Sequence, residues 1–599
     1  MKTGMIQACC LAGFAAGLLA VAPGAPSAAG EEADPQIVVE TRELESPDAG
    51  ACFPVERIVI GGEFIIAREA LVEAVAEHAT HCIGTQAAGA IIGAINAAHA
   101  QAGYVTTQGY LPEQDIRASR ALTIEIIPGR VEAIDYREAA GLVGEPLRER
   151  FRKSVENIQD AESFWQLSHA FSDLFQRLDD PFDRFQIIDG ARHPGVKPAL
   201  SFDLAEGDVL HLERLQQGIE RINSVPSGRA RASLEPGEAP ATSRVVIENE
   251  PKDAFRLTAG YEHNAAELSG SGRTVTERIR LDIAKDNLIG LNDAWRTSLA
   301  SGVNSNEASF GLTLPYRRAQ FALNGAYSES YQQITPLAGL FSQTGTMSAR
   351  VDYLLSRDAD QQTRIDASLT WRVGERHIND LKLTPQRFAV ARIGGSRTLF
   401  PGERRQLSFG AGINRGLTWF GATQDPQRPA PDTPRAQFWK IDAFASYAHG
   451  FQRLGVWRSE LTGQWSPTPL YADDQATIGS GASVRGFAGS LAKADTGAVW
   501  RNTFQFSIPP DVFLGERAEE SGFLVDVIAA TQPYLFADAG YGRDLANQRT
   551  VARAGAGLGL RYAHGRTTID ASIAYPLHDE GRPLSRTPDI SFSMSFKLF

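Results

Sequence analysis

Arg485 is the residue whose setting most suggests chemistry. It lies in Ser480-Gly481-Ala482-Ser483-Val484-Arg485-Gly486-Phe487, between small residues and an aromatic. A guanidinium offers five donors and does not lose its charge. Gly486 permits a positive φ and a close backbone approach. Such a tip can bury itself in a polar interior and pair with an acid there. Left exposed, Val484-Arg485-Gly486-Phe487 is an ordinary solvated loop. A second constellation is Phe536-Ala537-Asp538-Ala539-Gly540, where a period of two puts Phe536, Asp538 and Gly540 on one face. Neither stretch is an enzyme's. The chain has no Gly-x-Ser-x-Gly, no His-Glu-x-x-His and no phosphate-binding Gly-Lys-Ser/Thr loop. Asp286-Asn287-Leu288-Ile289-Gly290-Leu291-Asn292-Asp293 lacks the spacing of a calcium loop and reads as a tight turn. No metal or cofactor set is expected.

The elements around these residues alternate. From Phe255 onward, Phe255, Leu257, Ala259 and Tyr261 interleave with Arg256, Thr258, Gly260 and Glu262. The same pattern returns in Ala552–Tyr562, with Arg553, Gly555, Gly557 and Gly559 on the other side, and in Ile590–Leu598. One face suits lipid and the other suits water, so these strands must close into a barrel, because hydrocarbon leaves no backbone group unpaired. A soluble sandwich is the competing reading. Val456–Trp465 and Ala498–Ile508 flank the Arg485 stretch as strands, with a connection between them that is long for a turn.

Ahead of the barrel the pattern is mixed. Residues 1–29 read as a secretory signal peptide, with Lys2, an apolar run from Cys9 to Ala22 and small residues at Ser27-Ala28-Ala29. Residues 30–51 read as an acidic linker with a brief strand or helix near Gln36–Leu44. Cys52 onward reads as strand, helix, helix, strand, strand. Helices are expected at Arg68–His78 and Thr85–Gln101, strands at Val55–Ile60, Tyr104–Tyr110 and Leu122–Ile127. Of the four cysteines, Cys9 and Cys10 leave with the leader. Cys52 and Cys82 then form a disulfide in an oxidising compartment, worth about 3–4 kcal/mol by chain entropy. His78 and His81 nearby make too few ligands for zinc.

Composition narrows the class. A chain of 599 residues needs several domains. Its net charge of −12 speaks against a nucleic-acid partner. Mean hydropathy is −0.21, and no apolar run after the leader is long enough for a membrane helix.

Gly103-Tyr104-Val105-Thr106-Thr107-Gln108-Gly109-Tyr110-Leu111-Pro112-Glu113-Gln114-Asp115-Ile116 resembles the first POTRA domain of the two-partner-secretion transporters, a branch of the superfamily that includes BamA. Cys52-Phe53, Gly129-Arg130-Val131-Glu132, Leu212–Asn223, Asp286–Asp293, Asp495-Thr496-Gly497 and Arg501-Asn502 are also similar to that family. Thr503 departs from the acid often found after the asparagine.

The resemblance implies α+β POTRA domains in the periplasm followed by a barrel of sixteen antiparallel strands. The expected divisions are 52–130 for the first POTRA, 131–253 for the second with a helical insertion at about 145–188, and 254–599 for the barrel, with an inward-folded loop at 467–497. It implies that Arg485, at the tip of that loop, pairs with Asp538 on the lumen wall, with Phe536 beside it and Gly540 leaving room. It further implies export of a large secreted exoprotein, such as a β-helical adhesin or haemolysin, through an outer-membrane pore that works as a monomer without nucleotide. Arg229, Arg231 and Leu234, on an expected edge strand of the second POTRA, are the candidate cargo contacts. An insertase of the BamA type and a passive porin are the alternatives.

Overall fold

The computed structural model describes residues 36–44, 47–48, 52–138, 196–268, 272–335, 337–358, 360–487, 491–509, 522–580, 584 and 587–598. The expected leader, the helical insertion at 145–188 and Phe599 lie outside these residues. The chain forms two compact units that divide between Pro128 and Gly129.

The N-terminal unit is a four-stranded sheet covered by helices. Its strands run in the order Ile37–Glu40, Arg57–Gly62, Ala121–Ile127, Gln108–Tyr110. Helices Arg68–Ala76 and Thr85–Gln101 bring Leu71, Val75, Ile91 and Ile95 onto Ile58, Ile60, Leu122 and Ile124. Cys52 and Cys82 are disulfide-bonded, with Cα atoms 5.3 Å apart. The strand expected over Tyr104–Tyr110 shrinks to Gln108–Tyr110. His99 O accepts from Tyr104 N, and Tyr104 O from Thr107 N, which curls the chain into a turn first.

The linker is more ordered than its composition suggests. Ile37–Glu40 adds to the sheet edge, with Ile37 and Val39 buried. Asp48 then caps the second helix, accepting from the backbone N–H of Gly84, Gln86 and Ala87 at 2.8–3.0 Å. That long-range cap fills a gap, because the helix's own N-cap residue is Gly84, which has no side chain to offer.

His99 gives this unit a pH dependence. The ring is fully buried, one nitrogen lies 2.8 Å from Ile95 O, and Nε2 has no partner among the described residues. Burial holds its pKa below the ordinary value. A depressed histidine pKa means that the unfolded chain binds the proton more readily, so stability falls as pH drops through about 6.5. Hydrogen exchange of the Ile91–Gln101 amides in the whole protein, corrected for intrinsic rates, should therefore speed up between pH 7.5 and 5.5. The acceleration should vanish in His99→Leu. Equal protection at both pH values would refute this.

The second unit begins with a three-stranded sheet in the order Arg130–Glu138, Thr242–Asn249, Ala230–Pro236. Helix Leu212–Ile222 turns Leu215 and Ile222 onto Val131, Val245 and Ile247. Phe202 is 1% exposed and packs against the helix at Gly218, where any Cβ would collide with its ring.

The same unit continues into a closed barrel of sixteen long antiparallel strands, with the two-residue segment Leu381–Lys382 paired alongside. The strands are Phe255–Leu268, Gly272–Asp286, Ala294–Gly302, Ser305–Tyr316, Ala319–Thr335, Ala338–Arg357, Gln361–Ile378, Gln386–Leu399, Arg405–Leu417, Trp439–Phe451, Gly455–Trp465, Thr496–Phe506, Thr531–Asp544, Arg549–His564, Thr567–Asp579 and Asp589–Lys597. The first strand closes on the last, from Thr258 opposite Lys597 to Ala265 opposite Ile590. Alternation sends Ile279, Ile393, Ile413, Leu535 and Leu558 outward, all at least half exposed as a lipid-facing surface would be.

The small domain sits on one end of the barrel. Asp286, whose side chain is fully buried, accepts from Ser227 N at 2.9 Å and from both terminal nitrogens of Arg256 at 2.8 Å. Asn292 Nδ2 donates to Arg221 O, and Arg357 pairs with Glu220. The turn expected at Asp286–Asp293 wraps around Asp293, which accepts from the N–H of Leu288, Ile289 and Leu291. The end carrying turns 287–293 and 317–318 therefore faces the small domain. The Arg485 loop enters from the opposite end.

Candidate functional site

The eleventh and twelfth barrel strands end at Trp465 and restart at Thr496. The chain between them folds into the lumen instead of turning back at the rim. A short hairpin, Ala476–Ile478 with Ala492–Ala494, forms its stalk. The tip follows from local chemistry. Ser483 and Ser480 close a compact turn, with Ser483 Oγ accepting from Gly479 N at 3.0 Å and Ser480 Oγ from Ser483 N at 3.1 Å. Gly486 then takes a φ of 99°, where a side chain would be strained and its Cβ would lie 2.9 Å from Tyr575 C.

These constraints aim Arg485 at the wall. Its Nε donates to Asp538 Oδ2 at 2.6 Å and Nη2 to Asp538 Oδ1 at 2.7 Å, a bidentate fork. The backbone N–H of Arg485 donates to the same carboxylate at 3.1 Å. Thr503 Oγ1 accepts from Nη2 at 3.1 Å, so the residue that departs from the family's acid serves as a neutral acceptor. The guanidinium carbon lies 3.8 Å from the centre of the Phe536 ring. Arg485's side chain is 14% exposed and Asp538's is fully buried. Phe536, Asp538 and Gly540 all face inward, while Leu535 and Tyr541 face out. Gly540 opens the space for Val484, whose Cγ2 would be 2.8 Å from a Cβ there. Gly555 does the same for the carbonyl of Arg485.

The dock has an apolar half as well. Val484 and Phe487 pack with Ile478, Ala494, Val499 and Val551. Two further polar anchors had no role assigned from the sequence, although Asp495 lies in the family-like stretch Asp495-Thr496-Gly497. Arg553, 1% exposed in its side chain, pairs with Asp579 at 3.1 Å, donates to Ile478 O at 2.8 Å and lies 4.7 Å from the Phe487 ring. Asp495, fully buried, accepts from the N–H of Leu470 and Leu545 at 2.7 Å, tying the foot of the loop to the rim. The available signal for Arg553 was its place on the face shared with Gly555, Gly557 and Gly559, a bare strip suited to receive another segment.

The candidate cargo residues lie elsewhere, on the small domain. Ala230–Pro236 is an edge strand, and Arg231 through Pro236 are exposed along it. Leu234 is 37% exposed. Arg229 precedes the strand, and its guanidinium folds back onto the carbonyls of Pro226 and Gly228. The strand thus presents Arg231 and Leu234, and Arg229 closes the turn before it.

A family model described as haemolysin secretion/activation protein ShlB/FhaC/HecB matches residues 241–562. A POTRA domain model of the ShlB type matches residues 53–129. The outer membrane transporter CdiB of Dickeya dadantii (strain 3937) is 24% identical over 468 residues, covering 76% of this chain and 72% of the relative. The hemolysin transporter protein ShlB of Serratia marcescens is 24% identical over 407 residues, covering 65% of this chain and 68% of the relative. The solved structure of CdiB from Escherichia coli is similar in fold, with a TM-score of 0.70 at 19% identity, over 93% of this chain and 92% of that one.

Proposed function

The chain belongs to the ShlB/FhaC/HecB family of haemolysin secretion/activation proteins, and from that premise we propose that it exports one large exoprotein through a lumen stoppered by the loop at 467–497. It is an outer-membrane transporter of two-partner secretion, with POTRA domains in the periplasm. We assign 52–130 and 131–253 to those domains and 254–599 to the barrel. The relatives named for hemolysin transport support a haemolysin- or adhesin-like cargo. No step needs catalysis, so the protein works as a pore and not as an enzyme. It acts as a single barrel in contact with lipid.

The observation that supports this reading is the bidentate dock of Arg485 on Asp538, a non-covalent contact suited to holding the loop in the lumen and to releasing it. Cargo enters unfolded by adding a strand to the open edge at Ala230–Pro236, where main-chain hydrogen bonds supply affinity and alternate side chains supply selectivity. The loop then moves, and folding outside the cell draws the chain through.

Deleting the gene tests the function. Loss of one large secreted protein supports the transporter. General loss of outer-membrane barrels would point to an insertase, and altered solute uptake alone to a porin. The edge strand has its own test. Arg231→Glu with Leu234→Asp should lower export roughly tenfold and leave the barrel intact, because both residues are exposed and lie outside the barrel strands. Export equal to the parent's would remove the strand from the pathway.

A further inference from the structure

At the end of the barrel away from the small domain, two guanidiniums on the lipid face make no direct contact with a carboxylate among the described residues, although Glu375 lies near enough to Arg387 to feel its charge. Arg387 is near the start of the eighth strand and Arg415 near the end of the ninth. Alternation fixes their side. Ile393 and Ile413, in step with them, are 71% and 52% exposed, whereas Arg392 and Asn414 turn inward to Asp442. Arg415 donates to Gln437 O at 3.2 Å and lies over the Trp439 ring at 4.7 Å. Among the described residues, neither arginine makes an ion pair. Glu375, on the neighbouring strand, is bonded to Lys382 at 2.7 Å.

The surroundings are built and apolar. Trp419, Phe420 and Trp439 are each at least half exposed. Phe420 sits at φ 56°, a conformation disfavoured for a bulky side chain. The loop that carries it is stitched to the barrel, with Thr423 N donating to Arg387 O at 2.8 Å and Arg387 N to Thr423 Oγ1 at 3.2 Å. Asp425 fixes its far side through the N–H of Ala436 and Gln437.

A charge on a lipid-facing surface is costly in hydrocarbon and becomes favourable only at headgroup depth, beside an anion. Tryptophans mark that depth. The one carboxylate whose charge reaches Arg387, that of Glu375, is taken up by Lys382, and among the described residues none pairs with Arg415, so a lipid anion would complete both. We propose that Arg387 and Arg415, flanked by Trp419 and Trp439, bind the phosphorylated headgroup of an outer-leaflet lipid. The proposal rests on the barrel's placement in the outer membrane.

The test is a titration of the purified whole chain, in neutral detergent, with lipopolysaccharide. The double variant Arg387→Ala/Arg415→Ala should bind roughly ten- to thirtyfold more weakly. Arg453→Ala, at the opposite end, should match the parent. Phosphatase-treated lipopolysaccharide should bind the parent as weakly as the intact lipid binds the double variant. Equal affinity of parent and double variant overturns the site, and so does indifference to the phosphate. Inorganic phosphate binding as tightly as the lipid would overturn the lipid as its occupant. Heat-modifiable migration on gels reports the barrel separately, so loss of the barrel is distinguishable from loss of the site.

Discussion

Arg485→Ala cuts export by at least about tenfold while leaving a heat-resistant barrel in the membrane. The substitution removes the four hydrogen bonds made by the side chain and leaves Asp538 fully buried with, among the described residues, only the backbone N–H of residue 485 for company. Stranding one charge of a buried pair costs about 3–5 kcal/mol. A penalty of that size shifts a docked population by roughly two to four orders of magnitude. The apolar half of the dock opposes full release, since burying Val484 and Phe487 returns about 1.5–3 kcal/mol each. The loop of the variant should therefore rattle in place. In planar bilayers it should give larger and noisier conductance than the parent. Asp538→Asn should behave alike, because the unpaired charge is then the guanidinium. The exchange Arg485→Asp/Asp538→Arg should rescue poorly, since Phe536, Thr503 and Asn502 O are placed to orient a guanidinium on the loop and not on the wall. Undiminished export with parental conductance in Arg485→Ala would remove the pair from the mechanism.

What the sequence disclosed follows from how local each feature is. Period-two patterning belongs to neighbours in the chain, so the strands of the barrel and their inward residues could be read directly. Thr85–Gln101 was legible to the residue because Ala88, Ile91, Ile92 and Ile95 repeat at helical spacing and Gly103 follows. Arg485 and Asp538 stood out because each carries small or aromatic neighbours that a hydrated charge does not need. Arg553, Asp579 and Asp495 lack the aromatic two residues away that Arg485 has in Phe487 and Asp538 has in Phe536. A lone charge on a lumen face is most often hydrated, and only closure of the barrel brings Ile478 and Phe487 against Arg553. Asp286 is similar, since its partner Ser227 belongs to another domain. The added strand Ile37–Glu40 was equally hidden, because four residues carry too little pattern to tell strand from helix.

A disulfide between the tip and the wall separates a moving loop from a fixed one. In Val484→Cys/Gly540→Cys, a sulfur placed where Val484 Cγ2 now lies would sit 2.8 Å from the new Cβ at residue 540. That is within the reach a disulfide requires, with little backbone shift. The native pair Cys52–Cys82 is already bonded, so the new thiols meet each other. Oxidised, the bond adds to the Arg485 fork a link that thermal motion cannot break. If cargo needs the space that Val484 and Phe487 fill, export stops almost completely, and a reductant that opens the bond restores it. Conductance should stay at or below that of the parent, the opposite of Arg485→Ala. These two variants fail in different ways, one through a loose stopper and one through a sealed one. Normal export from the oxidised form would mean that the chain passes beside a docked loop, and the dock would then be scaffold for the lumen wall and not its gate.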